Sequence, residues 1–349
     1  NVAIGYIAMQ ANTTASNNTA VGDNALNLNT TGASNVAVGK SALNANTTGA
    51  NNNAFGYQAM YSNTTGGHNI AIGSGAFYTN STGASNIAIG SYSLYANTTG
   101  INNIANGYAA LRFNTTGANN TAVGYGALYS NTTGIHNTAS GYQALKANTT
   151  ASYNTATGYQ AGIAITTGDE NTALGRQSGA GCTTGTQNTF VGAYAGNYTY
   201  PTTTGIHNVM VGALAHAHSA TGRNQIVLGR YCRGIGDYNI VMGTDGGADR
   251  IYNNYTSNAT WTRASDERIK KDITTNTDCG LSFINDLRTV TYRFKAPSEL
   301  ASTMSEYDAE VTSPRYTDKM YGFIAQEVKA AMDTHNITDF AGWNQVEDG

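Results

Sequence analysis

The chain has 349 residues, a formal net charge of −3 and only 11% charged residues, so it has neither the basic footprint of a nucleic-acid binder nor a Lys/Arg run suited to an anionic membrane surface. No apolar run reaches the ~20 residues of a spanning helix, and three Pro in the whole chain argue against a Pro-rich disordered linker. Charge is also unevenly placed: 24 of the 39 charged residues lie at or beyond Ser265, which divides a long uncharged part rich in Gly, Asn, Thr and Ala from a charged globular one. Cys182, Cys232 and Cys279 lack CxxC spacing and read as incidental thiols of a protein assembled in a reducing compartment. Because the sequence opens in mid-pattern at Asn1 and stops soon after the run NQVEDG, it is expected to be a piece of a longer protein.

From Gly5 to Gly192, twelve glycines recur every 17 residues. Asn stands four residues before each one, from Asn1 to Asn188, and Ala stands two before in eleven of the twelve, Phe190 being the exception. Three and four residues after the glycine come Ala or Ser and then Leu, Met or Phe, until Gly162, Gly179 and Gly196 take the latter place. A period this short, rich in poor helix formers, fits one coil of a parallel β-solenoid. The expected coil has NxAVG as a first strand, the xAL piece as a second, and NTTG as the closing turn. Stacked coils place Asn above Asn, so amide ladders are expected. The NTT triplets match a glycosylation acceptor but recur as turn chemistry.

One such coil buries little apolar area, mainly paired Ala and one Leu, against ordering costs of ~1 to 2 kcal/mol per residue. A second apolar set flanks the strand Ala: Val2 and Ile4, Val36 and Val38, Ile70 and Ile72, Ile87 and Ile89. These face outward, which points to burial against other chains, and a parallel homotrimer is the expected state. The unit resembles the head repeats of trimeric autotransporter adhesins over about residues 1 to 245, and similar repeats occur in bacteriophage fibre proteins. The resemblance implies a mainly β fold, a homotrimeric β-roll rod whose twelve coils would span roughly 60 Å.

Residues 1–196 are the regular repeats, 197–245 a degenerate continuation with insertions, and 246–264 a neck or linker. Within the second stretch, His216 and His218 form an HxH pair. On a strand the two share a face, and three chains would bring six imidazoles to the threefold axis. Resemblance to phage fibres implies a transition metal there, to which imidazole is suited. Tyr6, Tyr57, Tyr108, Tyr125, Tyr142 and Tyr159 follow the repeat glycine and are candidate sugar-stacking residues, packing between coils being the plainer alternative.

Residues 265–349 change period. Leu281, Ile284 and Leu287 have helical spacing, 290 to 294 reads as a strand, and Ile324, Val328 and Ala331 mark a helix face, together a small α+β unit. Alone, SDERIKK reads as a helix start with Ser265 as N-cap. Taken with FINDLRTVTYRF and GFIAQEV downstream, it is similar to the intramolecular chaperone domain of endosialidases and other phage tailspikes and fibres, peptidase family S74. That resemblance implies trimerisation, registration of three chains while the fibre folds, and a single-turnover self-cleavage between Ala264 and Ser265. Ser265 would be the nucleophile and Lys270 its base, supported by Asp266 and Arg268. A neutral Lys needs positive neighbours or burial, and residues five apart do not share a helix or strand face, so the pair must meet through a turn or between chains.

The expected function is therefore a trimeric phage tail-fibre or tailspike segment for attachment to a host-surface glycan or receptor. It would be assembled in the host cytoplasm, carried on the virion tail beside other tail proteins, and would involve neither nucleic acid nor membrane insertion. A bacterial trimeric adhesin and a polysaccharide-degrading tailspike are the alternatives. Residues 1 to 244 contain only Asp23, Asp169, Glu170 and Asp237 as acids, which offers no evident cooperating carboxylate pair.

Overall fold

The computed structural model describes residues 1–198, 201–244, 250–256 and 262–263, and beyond them 283, 286–292, 295–296, 298, 320–323 and 325–334. The chain divides into two compact units, Asn1–Ile269 and Lys270–Gly349.

The first unit is a parallel β-solenoid of fourteen coils. Each contributes one three-residue strand, from Val2–Ile4 (β1) and Thr19–Val21 (β2) to Val209–Val211 (β13) and Ile226–Leu228 (β14). Register is set by the repeat itself: Ala3 pairs with Ala20, Ala20 with Ala37, and so on. From Ala20 onward the central Ala residues of the strands are buried. The residues flanking them are half-buried or exposed, with Ile104 40% accessible beside the buried Ala105, as the alternation of a strand requires.

The strand ends at the repeat glycine, where adjacent coils approach most closely. At Gly22, with φ 138°, a Cβ would lie 2.6 Å from the carbonyl oxygen of Gly39, so no side chain fits. Beyond the glycine the chain departs from the sequence expectation. The xAL piece is not a second strand but a tight turn in which the second and fourth residues after the glycine have left-handed backbone, as at Asn24 (φ 59°) and Leu26 (φ 51°). Leu43, Leu111, Leu128 and Leu145 repeat this geometry. A left-handed non-glycine residue costs about 1–2 kcal/mol. Complete burial of the Leu side chain, worth about 1.5–3 kcal/mol, offsets it.

Two columns of Asn amides hold the coils together, as the repeat predicts. The Asn before each strand accepts from the backbone N–H of its counterpart in the next coil (Asn35 N to Asn18 Oδ1, 2.8 Å) and donates across its own coil to the closing glycine carbonyl (Asn18 Nδ2 to Gly32 O, 2.9 Å). In the second column, the Asn of NTTG donates to the amide oxygen one coil back. Links run from Asn29 to Asn12 through Asn148 to Asn131, at 2.6–3.2 Å. Between the end members Asn12 and Asn148 these amides are buried and bonded on both sides, the condition under which a buried polar group stabilises.

From the tenth coil, which begins at Asn154, the interior changes. Gly162, Gly179 and Gly196 stand where Leu was, while Ile165, Cys182 and Thr202 replace the second-column Asn. Ile165 turns inward against the space over Gly162, where a Cβ would be 3.0 Å from its Cδ1. Phe190 fills the space left by two absent Leu side chains: a Cβ on Gly196 would lie 2.2 Å from its ring, and one on Gly179 2.6 Å. The ladder ends where its donor ends, and Asn148 Oδ1 is buried without a partner.

Strand Asn239–Gly243 (β15) pairs in parallel with β14, and Arg250–Asn254 (β16) then adds antiparallel to β15. Thr262–Arg263 (β17) adds antiparallel to β16. The described part of the segment expected as a neck thus continues the sheet. In the second unit, Thr289–Tyr292 (β18) pairs antiparallel with Met320–Phe323 (β19), and a helix, α1, spans Ala325–Thr334. Phe283, Ala331 and Met332 form its small core with Leu287 and Val328. A bidentate pair joins Arg288, just before β18, to Glu327 on α1. It raises the guanidinium pKa and lowers that of the carboxyl, chiefly through the hydrogen bonds themselves.

Candidate functional site

The expected cleavage residues Ala264, Ser265, Asp266, Arg268 and Lys270 lie outside the described residues. The last described backbone before them is β17, held in the sheet by its pairing with β16. The expected bond therefore follows directly on ordered sheet.

The tyrosines after the repeat glycine do form a column. Tyr108, Tyr125, Tyr142 and Tyr159 stack ring on ring, with centroids 5.1–5.3 Å apart and planes 7–14° from parallel. Their faces are turned to one another, so along this stretch they offer ring edges and hydroxyls outward. Tyr6 and Tyr57 stand apart from the stack and are 76% and 52% exposed.

A second aromatic column was not anticipated from the sequence. Tyr61, Tyr78 and Tyr95 stack at 5.1–5.2 Å, five residues after their glycines. Burial pushes the Tyr78 hydroxyl above its ordinary value, with the neighbouring phenols adding to the effect. Arg112 interrupts the column, its guanidinium 5.2–5.9 Å from the rings of Tyr92, Tyr95, Phe113 and Tyr129. The same 17-residue spacing that revealed the first column carries this one.

His216 and His218 are not on one strand face. His216 forms an isolated bridge with Arg233, is 5% exposed, and its Nδ1 lies 3.0 Å from the Leu214 carbonyl oxygen, whereas His218 is exposed. Burial lowers the His216 pKa, only partly countered by that carbonyl contact. Among the described residues of this chain, no group of three or more His, Cys, Asp or Glu is placed to hold a metal. Cys182 and Cys232 are buried and free, and burial pushes the Cys182 thiol up to about 12, far from a reactive thiolate.

The four solenoid acids are each engaged. Asp23 pairs with Lys40 and Asp237 with Arg223. Asp169 accepts from Ser152 N one coil back, and Glu170 from Gln187 Nε2 one coil on. The two adjacent carboxylates thus turn to opposite neighbours, which does not suit glycoside hydrolysis by a facing pair. No curated protein and no solved structure matches the chain. Residues 265–337, which begin at the expected cleavage serine, match the family model Peptidase_S74, the chaperone of endosialidase.

Proposed function

We propose that the chain is part of a homotrimeric tail fibre or tailspike that attaches a phage to a host-surface glycan or receptor, and that its C-terminal segment registers the trimer and then cuts itself away. One observation carries the reading: the chaperone-of-endosialidase match starts at residue 265, two residues after the last described strand of the first unit. The outward strand residues give the reason three chains would need such help. Ile4, Val21, Val38, Phe55, Ile72 and Ile89 form an unbroken apolar column over the first six coils, so a slip of one coil between chains exchanges like for like there. Register must then come from outside the repeat.

In this reading the Ser265 hydroxyl attacks the Ala264 carbonyl carbon while the Lys270 amine takes its proton. The peptide nitrogen of Ser265 leaves with a proton, and water hydrolyses the resulting ester. Maturation would take place in the host cytoplasm and leave the rod on the virion tail. A denaturing gel of the full-length protein beside its Ser265→Ala variant tests the cut. The wild-type chain is expected to run faster, having lost the residues from Ser265 onward, and equal migration overturns self-cleavage.

A further inference from the structure

The regular coils keep cations scarce: Lys40, Arg112 and Lys146 are the only Lys or Arg before residue 171. Between 171 and 250 there are five, all Arg: Arg176, Arg223, Arg230, Arg233 and Arg250. Arg176 and Arg230 occupy the same column, the residue after the repeat glycine, three coils apart, which is ~14 Å at the strand spacing. Between them that column holds only Ala193 and Ala213. Beside this low floor lies an open groove lined by Tyr194, Asn197, Tyr198 and Leu214. It occurs where the twelfth coil, beginning at Asn188, takes 20 residues to reach the next coil at Asn208 instead of 17.

The two guanidinium groups are held in place. Arg176 Cζ lies 4.7 Å from the Tyr194 ring centroid and Arg230 Cζ 4.7 Å from that of Tyr231. Tyr198, 44% exposed, belongs to a coil between those of Arg176 and Arg230, with its ring edge-on to Tyr231 at 5.5 Å and to His216 at 5.6 Å. A guanidinium laid on a ring keeps its in-plane N–H edge free for a bidentate acceptor and gives up little freedom on binding. Both side chains are exposed, and among the described residues neither has a carboxylate partner, unlike Lys40 and Arg223. Asn197 is half-buried at the groove, and its side-chain amide has no protein partner among the described residues. Stacked guanidinium groups at both ends, exposed aromatic surface between them and an unengaged amide are the elements that recognise a sugar carrying negative charge.

We propose that this groove binds an anionic saccharide segment, one bearing carboxylate or sulfate groups, with Arg176 and Arg230 taking the charges, Tyr198 packing on a sugar face and Asn197 bonding hydroxyls. The proposal rests on the attachment reading and places the contact here instead of along the stacked tyrosines. It is tested with the assembled protein on an array of glucuronate-containing and sulfated oligosaccharides beside neutral ones of equal length. Binding to the charged members, weakened by salt, is expected, with about a tenfold loss in Arg176→Ala and in Arg230→Ala and none in Lys40→Ala. Both Arg variants should melt like wild type, since the side chains are exposed. Equal binding of neutral sugars, no binding to any member, or full binding by the Arg176→Ala/Arg230→Ala double variant overturns the proposal. Adsorption to a panel of encapsulated bacteria separates the two readings. If wild type and double variant adsorb alike, the groove is wrong and attachment stands; if wild type adsorbs to none, attachment fails.

Discussion

Coils one to nine and coils ten to fourteen fold the same backbone path over different interiors. The first set is held by a Leu, Met or Phe in a left-handed turn above an Asn whose amide is bonded to both neighbours. In coils ten to twelve of the second set, glycine relieves the turn and the volume is recovered by side chains entering from elsewhere, Ile165 and Phe190. Backbone path is thus fixed by the strand, its glycine and the first Asn column, which continues through Asn208, while the second column and the Leu are exchangeable as a pair. Strain and burial are traded together: the residue that bears an unfavourable φ is also the one that fills the core.

The sharpest way to break this comparison is to remove the same position from each set. Asn63→Ala would leave the buried Asn46 Oδ1 without its donor and take one of two hydrogen bonds each from the Gly66 carbonyl and Asn80 Nδ2, which keep Asn52 and Gly83. It should cost roughly 4 kcal/mol, about 1–3 kcal/mol for the orphaned oxygen and about 1 kcal/mol for each of the two other lost bonds. Cys182→Ala, its counterpart, loses only a weak contact of Sγ with the Gly185 carbonyl and should cost far less. Thermal melting of the two variants measures the difference, and equal costs would show the ladder to be dispensable. Next in size is Gly196→Leu, which restores the regular residue where the Phe190 ring already lies. Overpacking of about 3 kcal/mol is expected, and Phe190→Ala in the same chain should recover most of it. The smallest effect is a gain. Gly162→Leu with Ile165→Asn extends the regular interior by one coil and gives Asn148 Oδ1 its donor, for about 1 kcal/mol in melting experiments. Ile165→Asn alone should lose stability, because it leaves the space over Gly162 empty.

Much of the solenoid was legible in the residues alone. The 17-residue period gives the stacked coils, the inward Ala, the outward Val and Ile and the Asn ladders, because stacking forces like residues into line. The turn after the glycine was not legible, since Ala-Leu after an exposed residue reads as strand alternation and nothing in Leu signals a positive φ. Gly162, Gly179 and Gly196 held the clue: glycine replaces Leu at a position where left-handed backbone costs it nothing. The HAH run reads as strand, which would put His216 and His218 on one face, while the backbone there forms a single bridge at His216. The groove at Tyr194 and Tyr198 was hidden because a 20-residue coil looks in sequence like decay of the repeat rather than a change of surface.

The second Asn column has a direction. Each of its side-chain amides gives its hydrogen to the coil before and offers its oxygen to the coil after, so the nine dipoles add along the axis and the column begins with a donor and ends with an acceptor. Every interruption of such a column creates one unanswered oxygen, however many links it contains. Nine consecutive Asn leave a single orphan, at Asn148. The same nine dispersed among Ile and Cys coils would leave one at each break. Contiguity, more than the number of Asn, therefore sets the stability of the column, and this favours collecting the irregular coils, with the surface they reshape, at one end of the solenoid.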